Sequence, residues 1–179
     1  VQEAESSEGT GTSDVLSAVG GVLFLMQLLI LVFLFNLQAN VFALGAGWIL
    51  IIPSFLLMTF SMASLDKGRG SSAAGESQPK LVTTGLYNMV RHPFHLGWAL
   101  MAVSLALVSQ TWLAFVLMIL QMLVVYRAVI EEETLNLVTF GDAYASYKAH
   151  VPAVNLFQGA CRFYKSRPER AEEAALPQD

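Results

Sequence analysis

The chain has 179 residues, 55% of them hydrophobic and only 13% charged, with a formal net charge of -4. Soluble domains carry about 25% charged residues, so this composition excludes an ordinary soluble domain and points to an integral membrane protein. The small acidic balance argues against a nucleic-acid partner, the single cysteine, Cys161, excludes an internal disulfide, and no Cys/His spacing suited to a metal is present.

In chain order, the stretch 1–14 is acidic and rich in Gly, Ser and Thr, the composition of a disordered tail. A first residue that is not Met fits either a sequence that begins mid-chain or a removed targeting segment, and in the second case the expected setting is a plastid or mitochondrial membrane. From Val15 to Leu65 there is no charged residue. One helix of that length would measure about 75 Å at 1.5 Å per residue, far beyond a hydrocarbon core of about 30 Å, so it must fold back. The polar cluster Asn36–Asn40 marks the break. This predicts helices at Val15–Leu37 and Val41–Leu65, a transmembrane hairpin over 15–65. Gly20-Gly21 reads as a close-packing site, and Gln27 as the source of an interhelical hydrogen bond.

Residues 66–80 (DKGRGSSAAGESQPK) are charged, Gly/Ser-rich and without periodicity, which predicts a surface loop. Gly85 allows a turn, and Tyr87–Val90 suits a single helical turn at the interface. His92 to Tyr126 is a second run without Asp, Glu, Lys or Arg. Ser109-Gln110-Thr111 divides it into helices at Phe94–Val108 and Trp112–Glu133. Four spans place all 10 Lys and Arg on one side together with both termini, which is the positive-inside pattern. After them, Leu135–His150 reads as an amphipathic helix on the membrane surface, with Tyr144 and Tyr147 on one face, ended by Val151-Pro152. The predicted fold class is therefore an all-α integral membrane protein with four transmembrane helices and a C-terminal interfacial helix. The region 81–157 holds the second hairpin, and 158–179 is a charged tail.

The stretch LVTTGLYNMVRHPFHLG, Leu81–Gly97, puts Arg91 and His92 at the mouth of an apolar helix. Pro93 at the first helical position leaves free N–H groups there, a setting that favours an anion. Glu131 and Glu132 close the last helix at the same membrane face. Anion-binding donors and carboxylates about a helix diameter apart suit a ligand such as S-adenosylmethionine, which carries a carboxylate, an ammonium, a sulfonium and ribose hydroxyls. A direct Arg91–Glu131 or His92–Glu132 pair stapling the hairpin accounts for the same residues. His92 and His95, three apart, share a helix face; hydrogen-bonded packing is the commoner use of such a pair than ligation of a haem or chlorophyll metal.

Taken together, LVTTGLYNMVRHPFHLGW, the apolar hairpin and EEETLNLVTFGDAYASYKAHVP resemble the isoprenylcysteine carboxyl methyltransferase family over Leu81–Pro152. Related membrane methyltransferases of phospholipid amines, and sterol reductases, share parts of this pattern. The resemblance implies an S-adenosylmethionine pocket formed by Tyr87, Arg91, His92, Pro93 and Gly97, with Glu131 and Glu132 contacting the cofactor and Tyr144 and Tyr147 lining or bracing it. It also implies a lipophilic acceptor, a membrane lipid or lipidated substrate, entering from the bilayer. Two positions depart from the family pattern: His95 stands where a Tyr is usual, and Ala153 where an Arg commonly follows Val-Pro. These departures leave open a second expectation, a family-derived structural subunit of a larger organelle membrane complex, without turnover and contacting other membrane subunits.

Overall fold

The computed structural model describes residues 2–34, 40–70, 81–155, 158, 161 and 164. Its long helices are α1 (Gln2–Phe33), α2 (Val41–Gly70), α3 (Pro93–Ser109) and α4 (Trp112–Phe140); a 3-10 turn, Gly85–Asn88, precedes α3, and a short helix, α5 (Asp142–His150), follows α4. Among the described residues, three segments are long and apolar enough to cross a membrane: Asp14–Phe33, Val41–Asp66 and Trp112–Phe140. The fourth apolar helix, α3, has 17 residues, about 25 Å at 1.5 Å per residue. Side chains such as Leu25, Phe42, Ile49, Phe55 and Leu123 are mostly exposed on the outside of the bundle. In lipid this orientation carries no hydrophobic cost, and the membrane-protein class follows from it.

Several expected boundaries move. Helix α1 starts at Gln2 and carries the acidic stretch as helix rather than as a disordered tail. Helix α2 runs on through Asp66–Gly70, so the polar loop begins later; residues 71–80 and the polar break 35–39 lie outside the described residues. Leu135–Phe140 belongs to α4, and the surface helix shrinks to α5, nine residues long. The break between them is Gly141, whose φ of +53° is one that residues with a side chain rarely adopt.

The helices do not pair as two sequential hairpins. Helix α3 packs along α2 and α4, while α1 packs on α4 and α3. Small residues make the α2–α3 seam. A Cβ on Gly47 would stand 3.0 Å from the Ser104 carbonyl oxygen and the Val108 nitrogen, and one on Gly97 would stand 2.9 Å from the Ser54 carbonyl oxygen. Gly47, Ser54 and Ser61 recur every seventh residue on α2, as do Gly97 and Ser104 on α3, the repeat that keeps one stripe of each helix on its neighbour. The expected close contact at Gly20-Gly21 is not made in that form: Gly20 has ordinary contacts with α4, and Gly21 faces open space.

Buried amides join α1 to the other helices. Gln27 Nε2 donates to the Ala102 carbonyl at 3.1 Å and approaches that of Ala114 at 3.5 Å, and Gln121 Nε2 donates to Gly20 O at 3.3 Å. The interhelical duty expected of Gln27 is thus met. At the end opposite the polar cluster, Gln110 and Asn40 exchange two hydrogen bonds of 2.7 and 2.9 Å. That exchange holds Gln110 at a φ of +48°, the left-handed cap of α3.

Candidate functional site

The site is built where three segments meet: the approach to α3, the last turns of α4, and α5. The chain arrives through the Gly85 turn, where φ is +65°. It buries Tyr87 and Val90 and then extends across Arg91 and His92. Their backbone N–H groups donate to Pro152 O at 3.0 Å and Ala153 O at 3.1 Å. The Val-Pro segment is therefore the backbone partner of Arg-His-Pro, a contact that survives the change of side chain at Ala153. The Tyr147 hydroxyl donates to Tyr87 O, closing α5 over the 3-10 turn. Tyr144 is buried beside it, ring centroids 5.9 Å apart. Burial pushes both phenols above their ordinary range, Tyr147 further still because Tyr144 adjoins it, so both remain neutral donors at physiological pH.

From α4, Glu132 and Glu133 face these elements. Arg91 Nη1 lies 2.6 Å from Glu133 Oε1, and Lys148 Nζ 2.6 Å from Glu133 Oε2. His92 stands between two carboxylates, its Nδ1 3.2 Å from Glu132 Oε2 and its Nε2 3.3 Å from Glu133 Oε1. His95 Nδ1 is 3.3 Å from the same Glu132 oxygen. The inward direction follows from the i, i+3 spacing of the two histidines, whose rings meet edge to face at 5.8 Å. Position matters as much as pairing: Glu132 lies 20 residues after Trp112, so the cluster sits about 30 Å along α4 from its far end, one hydrocarbon thickness away.

Of the residues expected to act together, Tyr87, Arg91, His92, Glu132, Tyr144 and Tyr147 are gathered here. Pro93 is buried at the first position of α3. Two expectations change. Arg91 pairs with Glu133 rather than Glu131, because one residue on a helix is a 100° rotation and the second and third glutamates face the Arg-His segment. Gly97 faces Ser54, Leu57 and Met58 of α2 and works as a packing glycine. Among the described residues, Glu131 makes no ion pair with the cluster's cations and its Oε2 is buried without a hydrogen-bond partner, as is Arg91 Nε.

Sequence reasoning placed Glu133 in the acidic run opposite Arg91 but gave the cofactor contacts to Glu131 and Glu132, and it passed over Lys148. Lys148 was signalled by its spacing, since 144, 147 and 148 stand at i, i+3 and i+4 and share one helix face. For Glu133 no such signal exists: three consecutive acids span 200° of a helix surface, and their rotation is set by packing.

The phospholipid methyltransferase family model matches residues 42–143. The match begins with α2, one helix before the motif-bearing stretch, and so takes in the whole α2–α3 seam together with α4. Searches of curated proteins and of solved structures return no match. A family match over more than half of the chain, on a bundle of apolar helices with its polar cluster toward one end, identifies this chain as a member of the phospholipid methyltransferase family of membrane proteins.

Proposed function

We propose that this protein is a membrane methyltransferase using S-adenosylmethionine, with the cluster at the head of α3 and the end of α4 as its donor site and a lipophilic amine or carboxylate as acceptor. The observation that carries the reading is that the buried polar atoms without a hydrogen-bond partner among the described residues include Glu131 Oε2 and Arg91 Nε, both at this cluster. A buried polar atom left unpaired costs about 1–3 kcal/mol, more when charged, so stability alone does not account for keeping them. The donor's chemistry suits them: Arg91 and the N–H groups at the start of α3 match a carboxylate, and Glu131 matches an ammonium or ribose hydroxyls. Tyr87, His92, Pro93, Glu132, Tyr144 and Tyr147 would frame the pocket. Gly97 would support it indirectly, by setting how closely α3 approaches α2.

When bound, S-adenosylmethionine supplies an electrophilic methyl group. The chain's own contribution is to hold an acceptor nucleophile in line at the membrane boundary and to exclude water. The family's name favours a phospholipid amine, and the site's height at one face of the bundle suits a headgroup whose acyl chains stay among the lipids.

A second reading has its own support. His92, His95, Arg91 and Lys148 all have glutamate partners, so the cluster also serves as a staple between α3, α4 and α5 in a protein without turnover. Calorimetric titration of S-adenosylmethionine into the detergent-solubilised chain, followed by transfer of labelled methyl to phospholipid in nanodiscs, separates the two. Binding that is lost in Glu131→Ala with the melting temperature unchanged supports the methyltransferase. Absence of binding by the parent protein supports the staple.

A further inference from the structure

We infer that His92, His95 and Glu132 form a binding site for one divalent transition metal ion of the zinc class, with one coordination position left open. Their ligand atoms lie within 4.8 Å of one another. Glu132 Oε2 lies between the two histidines, 3.2 Å from His92 Nδ1 and 3.3 Å from His95 Nδ1. Both distances also match the edge of a ligand tetrahedron: metal–ligand bonds of about 2.0–2.1 Å place adjacent donors about 3.3 Å apart.

The surroundings complete the pattern. A metal-bound histidine usually donates its other ring N–H to a carboxylate. His92 does have Glu133 Oε1 3.3 Å from its Nε2, and Glu133 is itself fixed by Arg91 and Lys148 at 2.6 Å each. A neutral imidazole has one N–H and cannot donate to Glu132 and Glu133 together. A metal on Nδ1 would leave the single N–H of a neutral ring for Glu133, whereas a protonated ring would donate to both carboxylates. The charges agree, because Glu133 absorbs both nearby cations while Glu132 has only histidines. Access agrees as well: the His92 side chain is 1% exposed but that of Glu132 is 42% exposed, so the centre is anchored inside and open to the membrane–water boundary. Two histidines and one carboxylate with a free fourth position is the donor set of zinc centres that bind an exchangeable water or substrate oxygen. The proposal goes beyond the methyl-donor reading and shares His92 and Glu132 with it, but it is tested without the donor.

The test uses the full chain in detergent, purified on a tag without histidine and treated with chelator. Titration with Zn2+ by calorimetry, and with Co2+ by visible absorption, should show one ion per chain and the intense bands of tetrahedral cobalt. His95→Gln should lose stoichiometric binding while His150→Ala retains it. Glu133→Gln should keep the stoichiometry and weaken affinity about 10–100-fold, the usual effect of removing a histidine's carboxylate partner. Circular dichroism checks folding of each variant, and His95→Tyr replaces His95→Gln if the latter does not fold. No binding by the parent, or equal binding by the His95 variants, overturns the site. No methyl donor enters these measurements, so their failure leaves the methyltransferase reading to its own assay.

Discussion

Replacing Glu133 with Gln gives the sharpest test of how this end of the bundle is held together. Glu133 is the shared anion of the cluster, 2.6 Å from both Arg91 and Lys148 and 3.3 Å from His92. The Arg91 and Glu133 side chains are 9% and 16% exposed, whereas Lys148 is 41% exposed. Removing one partner of a buried pair leaves an uncompensated charge and costs about 3–5 kcal/mol, while an exposed pair contributes about 0.2–1 kcal/mol. Gln retains an acceptor for Arg91, and water reaches Lys148, so Glu133→Gln should cost about 2–4 kcal/mol and Lys148→Met under about 1 kcal/mol. For a chain of this length 1 kcal/mol corresponds to about 2–4 °C in melting temperature. Thermal unfolding followed by circular dichroism in micelles should therefore show a drop of about 4–16 °C for Glu133→Gln, and about 4 °C or less for Lys148→Met. Equal losses in the two variants, or no loss in Glu133→Gln, would refute the assignment of Glu133 as the buried counter-charge of Arg91.

Three further outcomes are expected. Gly97→Ala should destabilise the bundle by about 1–3 kcal/mol through overpacking against the Ser54 backbone, while Gly21→Ala, facing open space, should leave the melting temperature unchanged. Gln27→Leu should cost about 0.6–2 kcal/mol, the range for a hydrogen bond between membrane helices, and a double variant with Gln121→Leu would measure how far the two amide contacts of α1 are coupled. Burial raises the Tyr147 phenol, so its contribution is fully present below about pH 10 and is lost as pH rises through the higher folded value; Tyr147→Phe should flatten that alkaline loss and, by releasing Tyr87, accelerate amide exchange across Gly85–Val90.

The sequence by itself determined the solvent of this protein and the order of the long helices among its described residues. Two long runs without Asp, Glu, Lys or Arg, each too long to cross a bilayer once, force two reversals, and in lipid a backbone has no hydrogen-bond partner but its own helix. It also determined that Arg91 and His92 would meet carboxylates near Glu131–Glu133, because antiparallel helices of fixed rise bring those ends to one level. The tertiary structure alone decided which partners meet. Helix α3 lies between α2 and α4 rather than closing a separate hairpin, since Gly97, Gly47 and the buried serines let it approach α2 more closely than larger residues allow. The rotation of α4 selects Glu133 for Arg91, brings Glu132 to both histidines and leaves Glu131 without a cationic partner. Three adjacent glutamates are equivalent in sequence but point in directions 100° apart on a helix, and only the packed neighbours fix which direction is which.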